Sequence, residues 1–154
     1  RLARIVRAID VDGMMVAHQF NPLLRNALHF LLPLTNKKGI GVAGGALLLK
    51  GWLAEPKYEW RKYPPPWMDP IFQRAYVSYL DIQQDSGINF PELTLRWLLP
   101  EIRIHSFVVG FSQWDQIKSN LEAINRGPLP EDLQRAINAI GIVHPLIYQN
   151  RSSL

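Results

Sequence analysis

Three groups of residues in this chain have types and spacings suited to chemistry. The first runs from Ser106 through Gly110, Phe111, Ser112, Gln113 and Asp115 to Gln116 and Asn120, where a β-branched run breaks at glycine into a helix-like stretch. Gly110 allows a tight turn, Ser112 or Gln113 suits a helix start, and Asp115 falls in the first turn. Free backbone N–H groups at such a start would hold a phosphate against the positive end of the helix dipole. The same pattern also serves as an ordinary packing corner. The second group is His18 with Gln19 and Asn21 at the end of an apolar run, where the imidazole could do acid–base work or simply pack. The third is Gly39, Gly41, Gly44 and Gly45. The last two would let a flat ring approach the backbone, or relieve crowding at a strand end.

Other chemistries are excluded. There is no cysteine, so thiolate catalysis, disulfides and cysteine metal sites are absent. His18, His29, His105 and His144 have no metal-ligand spacing, which predicts no metal site. Asp10 with Asp12, and Glu131 with Asp132, read as turn and helix-start carboxylates. The chain lacks a Gly-x-Ser-x-Gly elbow and the Lys-Ser/Thr ending of a phosphate-binding loop.

The elements that must position these residues follow from periodicity. Strands are predicted over 14–18, 40–43 and 104–109, the last covered on both faces. Helices are predicted over 1–9, 24–38 with a kink or break at Pro33, 70–84, 89–98, 114–124 with Ile117, Leu121 and Ile124 inward, and 133–140. Residues 46–67, with Pro56, Pro64, Pro65 and Pro66, read as a stiff surface excursion. Strand, crossover and helix in alternation is an α/β pattern with a parallel sheet. Three strands make an incomplete sheet with exposed edges, so further strands are expected from another chain or a preceding segment.

At 154 residues the chain is one domain's length and carries a formal charge of +4. Its basic residues are scattered and outline no nucleic-acid groove; Lys57, Arg61 and Lys62 interleave Tyr58, Trp60 and Tyr63, a group that could stack bases or a carbohydrate, reads more readily as a solvated loop with aromatic anchors, and also suits an acidic protein partner. No apolar run approaches the roughly 20 residues of a membrane-spanning helix, so the expectation is a soluble or peripheral chain of undetermined compartment. The opening at Arg1 reads as a processed product or a piece of something longer.

The order of motifs resembles the aldo-keto reductases. Met14 to Leu24 looks like the family strand ending in an aromatic-Asn-Pro-Leu motif, Ile40 to Gly51 like the next strand and its loop, and Ser106 to Leu133 like the last barrel unit. Pro65, Pro66 and Trp67, with Leu93 to Trp97, most resemble the galactose and threo-aldose dehydrogenase branch. The resemblance implies that the whole chain, 1–154, is the C-terminal part of a (β/α)8 TIM barrel, strands six to eight with their helices. The family's catalytic Asp, Tyr, Lys and His would then lie elsewhere, leaving no catalytic residue here. It also implies NADP, retained or lost, with Gly110, Phe111 and Ser112 at the adenosine phosphate, Gln116 and Asn120 near ribose and adenine, and Gly44 near the nicotinamide. Departures from the family pattern are Ala17 for an amide-binding Gln, Ala46 for a loop proline, Phe111 for a basic or small residue, and Ser119 for the usual Glu. The reading favoured at this level is a noncatalytic structural or accessory subunit of a multiprotein assembly. The alternative is the cofactor-binding half of an NADP-dependent oxidoreductase acting on an aldose or small carbonyl compound.

Overall fold

The computed structural model describes residues 2–143. Its sheet has three parallel strands in the order β1 (Gly13–Ala17), β2 (Gly41–Gly45) and β3 (Ser106–Phe107). Gly13 to Ala17 lie opposite Gly41 to Gly45, and Ala43 and Gly44 lie opposite Ser106 and Phe107. Side chains alternate along each strand. Val16, Val42 and Gly44 fall on the face covered by helices, whereas Met15, on the other face, is 55% exposed.

The third strand is shorter than predicted, because a side chain takes over one of its ladder bonds. The Val42 amide donates to Nδ1 of His105 (3.0 Å), while the His105 amide donates to the Val42 carbonyl (2.8 Å). Beyond Phe107 one further bond, from the Val108 amide to the Gly44 carbonyl, continues the contact. Coverage on both faces also fails, since Val108 is largely exposed.

The helices are α1 (Leu2–Ala8), α2 (Asn26–Phe30), α3 (Leu32–Lys38), α4 (Pro70–Ser86), α5 (Phe90–Leu98), α6 (Trp114–Asn125) and α7 (Glu131–Ile140). The predicted long helix after β1 breaks at Leu31, and Pro33 takes the second position of α3, where its missing N–H deprives no carbonyl of a partner. Asp69 and Asn89 cap α4 and α5 through their side-chain oxygens, at 2.9 to 3.0 Å from first-turn amides. The buried faces of α4 (Phe72, Tyr76, Tyr79, Leu80) and α5 (Leu93, Leu95, Trp97, Leu98) are those their periodicity predicts. α6 differs: Leu121 and Ile124 are exposed, and Ala123 is the residue it buries. No described element covers that stripe.

Residues 46–69 are less of a surface excursion than their prolines suggest. Leu47, Leu49 and Leu53 are fully buried, and Trp52 stacks on Trp67 with ring centroids 4.3 Å apart. Trp60 meets the edge of both rings and packs on Tyr76. The Tyr76 hydroxyl accepts from the Lys57 amide and donates to the Trp52 carbonyl, and burial pushes that phenol up to about 12. The segment is thereby fastened to α4.

Two charged networks join distant parts of the chain. The Arg25 guanidinium is buried, donates to the carbonyls of Pro22 and Ile137 (both 2.9 Å) and to Asn138, and lies 4.0 Å over the Trp97 ring. Backbone bonds between Arg25 and Ile142 and between Ile142 and Leu23 close the same junction. Burial lowers the Arg25 guanidinium to about 10, so it stays charged at neutral pH. Glu92, also buried, accepts from Arg96 (2.9 Å) and Arg126 (2.7 Å), while Arg96 donates to the carbonyls of Gly127 and Pro128. That network binds α5 to the α6–α7 turn.

Replacing Arg25 by Met is expected to cost about 3 kcal/mol in urea unfolding, since two buried carbonyls lose their donor. Lys should not restore it, having no planar fork. Gly141→Ala should destabilise as well, because an added Cβ would overlap the guanidinium. Burial pushes the Glu92 carboxyl up, yet its bonds to Arg126 and Arg96 outweigh this and hold it below the usual carboxylate value; Glu101 is held down likewise by Arg103. Their stabilisation is therefore complete above the ordinary carboxylate pKa and is lost as pH falls through the lower folded values. Unfolding curves measured from about pH 6 to about pH 3 should show stability falling with acid, and Glu92→Gln should flatten that slope.

Candidate functional site

All three parallel strands present their carboxyl ends at one cleft of about 630 Å3. Contributors include His18 after β1, Ala46 to Leu48 with Lys50 and Gly51 after β2, and Val108 to Ser112 after β3. Gln116, Ser119 and Asn120 of α6 form a further wall. Crossover connections place loops and helix starts at this end of a parallel sheet, which is why ligand sites gather there.

Backbone strain is concentrated around this cleft. Among the described residues, the non-glycine positions with positive φ are His18, Ala46, Leu49 and Lys50, and three of them line it. Each such conformation costs roughly 1 kcal/mol or more and persists only where the surroundings enforce it. Alanine, leucine and lysine carry no sequence signal for this geometry, so the contribution of Lys50 was invisible before the fold. Lys50 lies in a one-turn 3-10 element, Leu49–Gly51, and makes no ion pair among the described residues.

Of the residues singled out in the sequence, Gly110, Phe111, Ser112, Gln116 and Asn120 all line the cleft. The helix-start amides are not free as expected. Oε1 of Gln116 accepts from the Ser112 amide (2.8 Å) and the Gln113 amide (3.4 Å), one arm of a capping box. An anion at this corner must displace that carboxamide. Phe111 and Trp114 both show most of their rings to solvent.

Gly44 lies apart from the other five. It is buried on the helix-covered face, opposite Val16 and Phe107. A Cβ there would lie 3.0 Å from Cδ1 of Phe107 and 3.3 Å from Cγ2 of Ile104. The ring that crowds Gly44 belongs to this chain. The suggested cluster around His18 also divides: Gln19 lines a separate cleft with His29 and Phe30, and buried Asn21 accepts from the Leu23 and Leu24 amides, 3.0 Å each. His105 is spent on the Val42 amide, and His144 lies outside the described residues. No cluster of three or more potential metal ligands occurs among the described residues.

The model of the aldo/keto reductase family matches residues 1–142. The chain belongs to that family. An aldo-keto reductase of Bacillus halodurans, AKR11C1, has a similar fold in its apo form (TM-score 0.68, 19% identity) and its holo form (0.69, 20%). The match covers 95% of this chain and 50% and 49% of those structures. A D-threo-aldose 1-dehydrogenase of a Pseudomonas species is 28% identical over 127 residues, 79% of this chain and 37% of that protein. An aldo-keto reductase of Pseudocercospora fijiensis is 32% identical over 75 residues, 46% of this chain and 25% of that protein. This aldo-keto reductase chain thus spans well under half of those relatives and about half of the solved structures. The resemblance read from motif order is therefore correct at family level, and the sheet is the expected parallel α/β kind.

If Gly44 is small to make room for Phe107, Gly44→Ala should cost about 1–3 kcal/mol in the wild type and markedly less beside Phe107→Ala. A double-mutant cycle of urea midpoints checks this. Equal costs in both backgrounds would remove the packing explanation.

Proposed function

We propose that this chain forms the cofactor-side corner of an aldo-keto oxidoreductase barrel, strands six to eight, with the remaining strands supplied by another segment. The observation that carries the reading is the cleft at the carboxyl ends of three parallel strands in a chain of this family. Exposed apolar surface supports the division. Met15 on the open face, Val108 beside β3, and the α6 stripe Trp114, Leu121 and Ile124 are exposed where a barrel would continue. No helix among the described residues is long and apolar enough to cross a membrane.

The donor set suits a nicotinamide dinucleotide. Lys50 would hold its diphosphate, the Ser112 hydroxyl would face its adenosine end, the Gln116 and Asn120 carboxamides would hold its ribose and adenine, and Gly110 keeps that approach open. When bound, such a cofactor supplies the hydride that reduces a carbonyl. The proton for the resulting alkoxide would come from elsewhere, because no tyrosine among the described residues lines the cleft and Tyr76 and Tyr79 are committed to Trp52 and Thr94. Partner strands would bring that acid, together with the pocket for an aldose or small carbonyl substrate.

A second reading, a noncatalytic accessory subunit, draws support from the Gln116 carboxamide already seated on the Ser112 and Gln113 amides. The two separate experimentally. The purified 154-residue chain should not turn over an aldose or small aldehyde with NADPH or NADH, and should do so once co-expressed with the first five strands of a related reductase. Turnover by the chain alone would overturn the division of labour. A folded but inactive reconstituted barrel would favour the accessory role.

A further inference from the structure

Charge is unevenly distributed in the cleft, and the imbalance discriminates between the two common nicotinamide dinucleotides. Among the described residues Lys50 is the single lysine or arginine lining it, entering from the turn after β2, and Glu55, paired with Lys57 at 3.1 Å, is the acidic residue of the lining. The α6 wall of Gln116, Ser119 and Asn120 and the turn at Phe111 and Ser112 carry amides, hydroxyls and aromatic carbon without a cation. Asp115 in the first turn of α6 lies four residues before Ser119, one turn away on the same side of the helix. Lys118, on the same helix, is not part of the lining.

A phosphomonoester carries between one and two negative charges at neutral pH and needs charge-assisted donors when it leaves water. Against this wall it would meet neutral groups and the field of Asp115. Ribose hydroxyls need only neutral hydrogen bonds, which carboxamides and serines provide. We propose that the cleft accepts a dinucleotide whose adenosine ribose carries free hydroxyls, NADH, in preference to NADPH, which bears a further phosphate there. This rests on the dinucleotide reading above and narrows it. The single ammonium of Lys50 is then left for the diphosphate shared by both cofactors, where it does not discriminate.

Calorimetric titration of the reconstituted barrel, and of the 154-residue chain, with NADH and with NADPH tests the preference without recourse to turnover. NADH is expected to bind tighter by about tenfold or more. Ser119→Arg, which places a guanidinium on the α6 wall, should close most of that gap by strengthening NADPH. Equal affinities, or tighter NADPH in the unmodified protein, would overturn the preference while leaving the dinucleotide site in place. Absence of saturable binding by either cofactor to a protein with a folded circular dichroism spectrum would overturn both.

Discussion

A guanidinium held out of water joins the two ends of this fold. Arg25 stands just after β1, yet its hydrogen bonds reach Ile137 and Asn138 on α7 and its face lies on Trp97 of α5. A buried cation without a carboxylate partner is tolerable only if its donors are met by carbonyl dipoles and an aromatic face, and most of its surroundings do that. The geometry propagates: the chain after α7 must run close enough for Ile142 to pair with Leu24, and Gly141 must lack a side chain. Helix α7 is thereby fixed against the loop that leaves the first described strand.

From that junction the cleft follows. Parallel strands deliver their loops to one end, so His18, Lys50, Gly110 and α6 converge although more than ninety residues separate the first from the last. Their convergence uses strained backbone at His18, Ala46 and Lys50, and a helix start that Gln116 caps for itself. Such a corner is finished structurally before any ligand arrives. Whatever anion binds must compete with an internal hydrogen bond, a different situation from an open ring of free amides.

The apolar surface points outward from the same architecture. Met15, Val108, Trp114 and Leu121 are exposed, and β1 and β3 are the edges of the described sheet. A sheet of three parallel strands buries one face against helices and leaves edges and a face that a closed barrel would hide. That exposed apolar surface and the partial coverage of related proteins are what the proposal of a corner of a larger barrel draws on.

Much of this was set by local sequence. The helix faces of α4 and α5, the break around Pro33 and the cap at Asn89 follow from periodicity and backbone chemistry that a few neighbouring residues determine. Motif order was enough to place the chain in its family. What local sequence could not determine depends on partners far along the chain. His105 gives its imidazole to Val42, Phe107 fills the space over Gly44, Gln116 closes its own helix, and Lys50 turns into the cleft. The α6 stripe expected to face inward is instead exposed at Leu121 and Ile124, because burial needs a neighbour that periodicity cannot supply. Amino-acid types dictate which elements form and which ligand chemistry is available. Register, long-range hydrogen bonds and the presence of a covering surface decide which of those groups face a ligand, and these arise only when the whole chain packs.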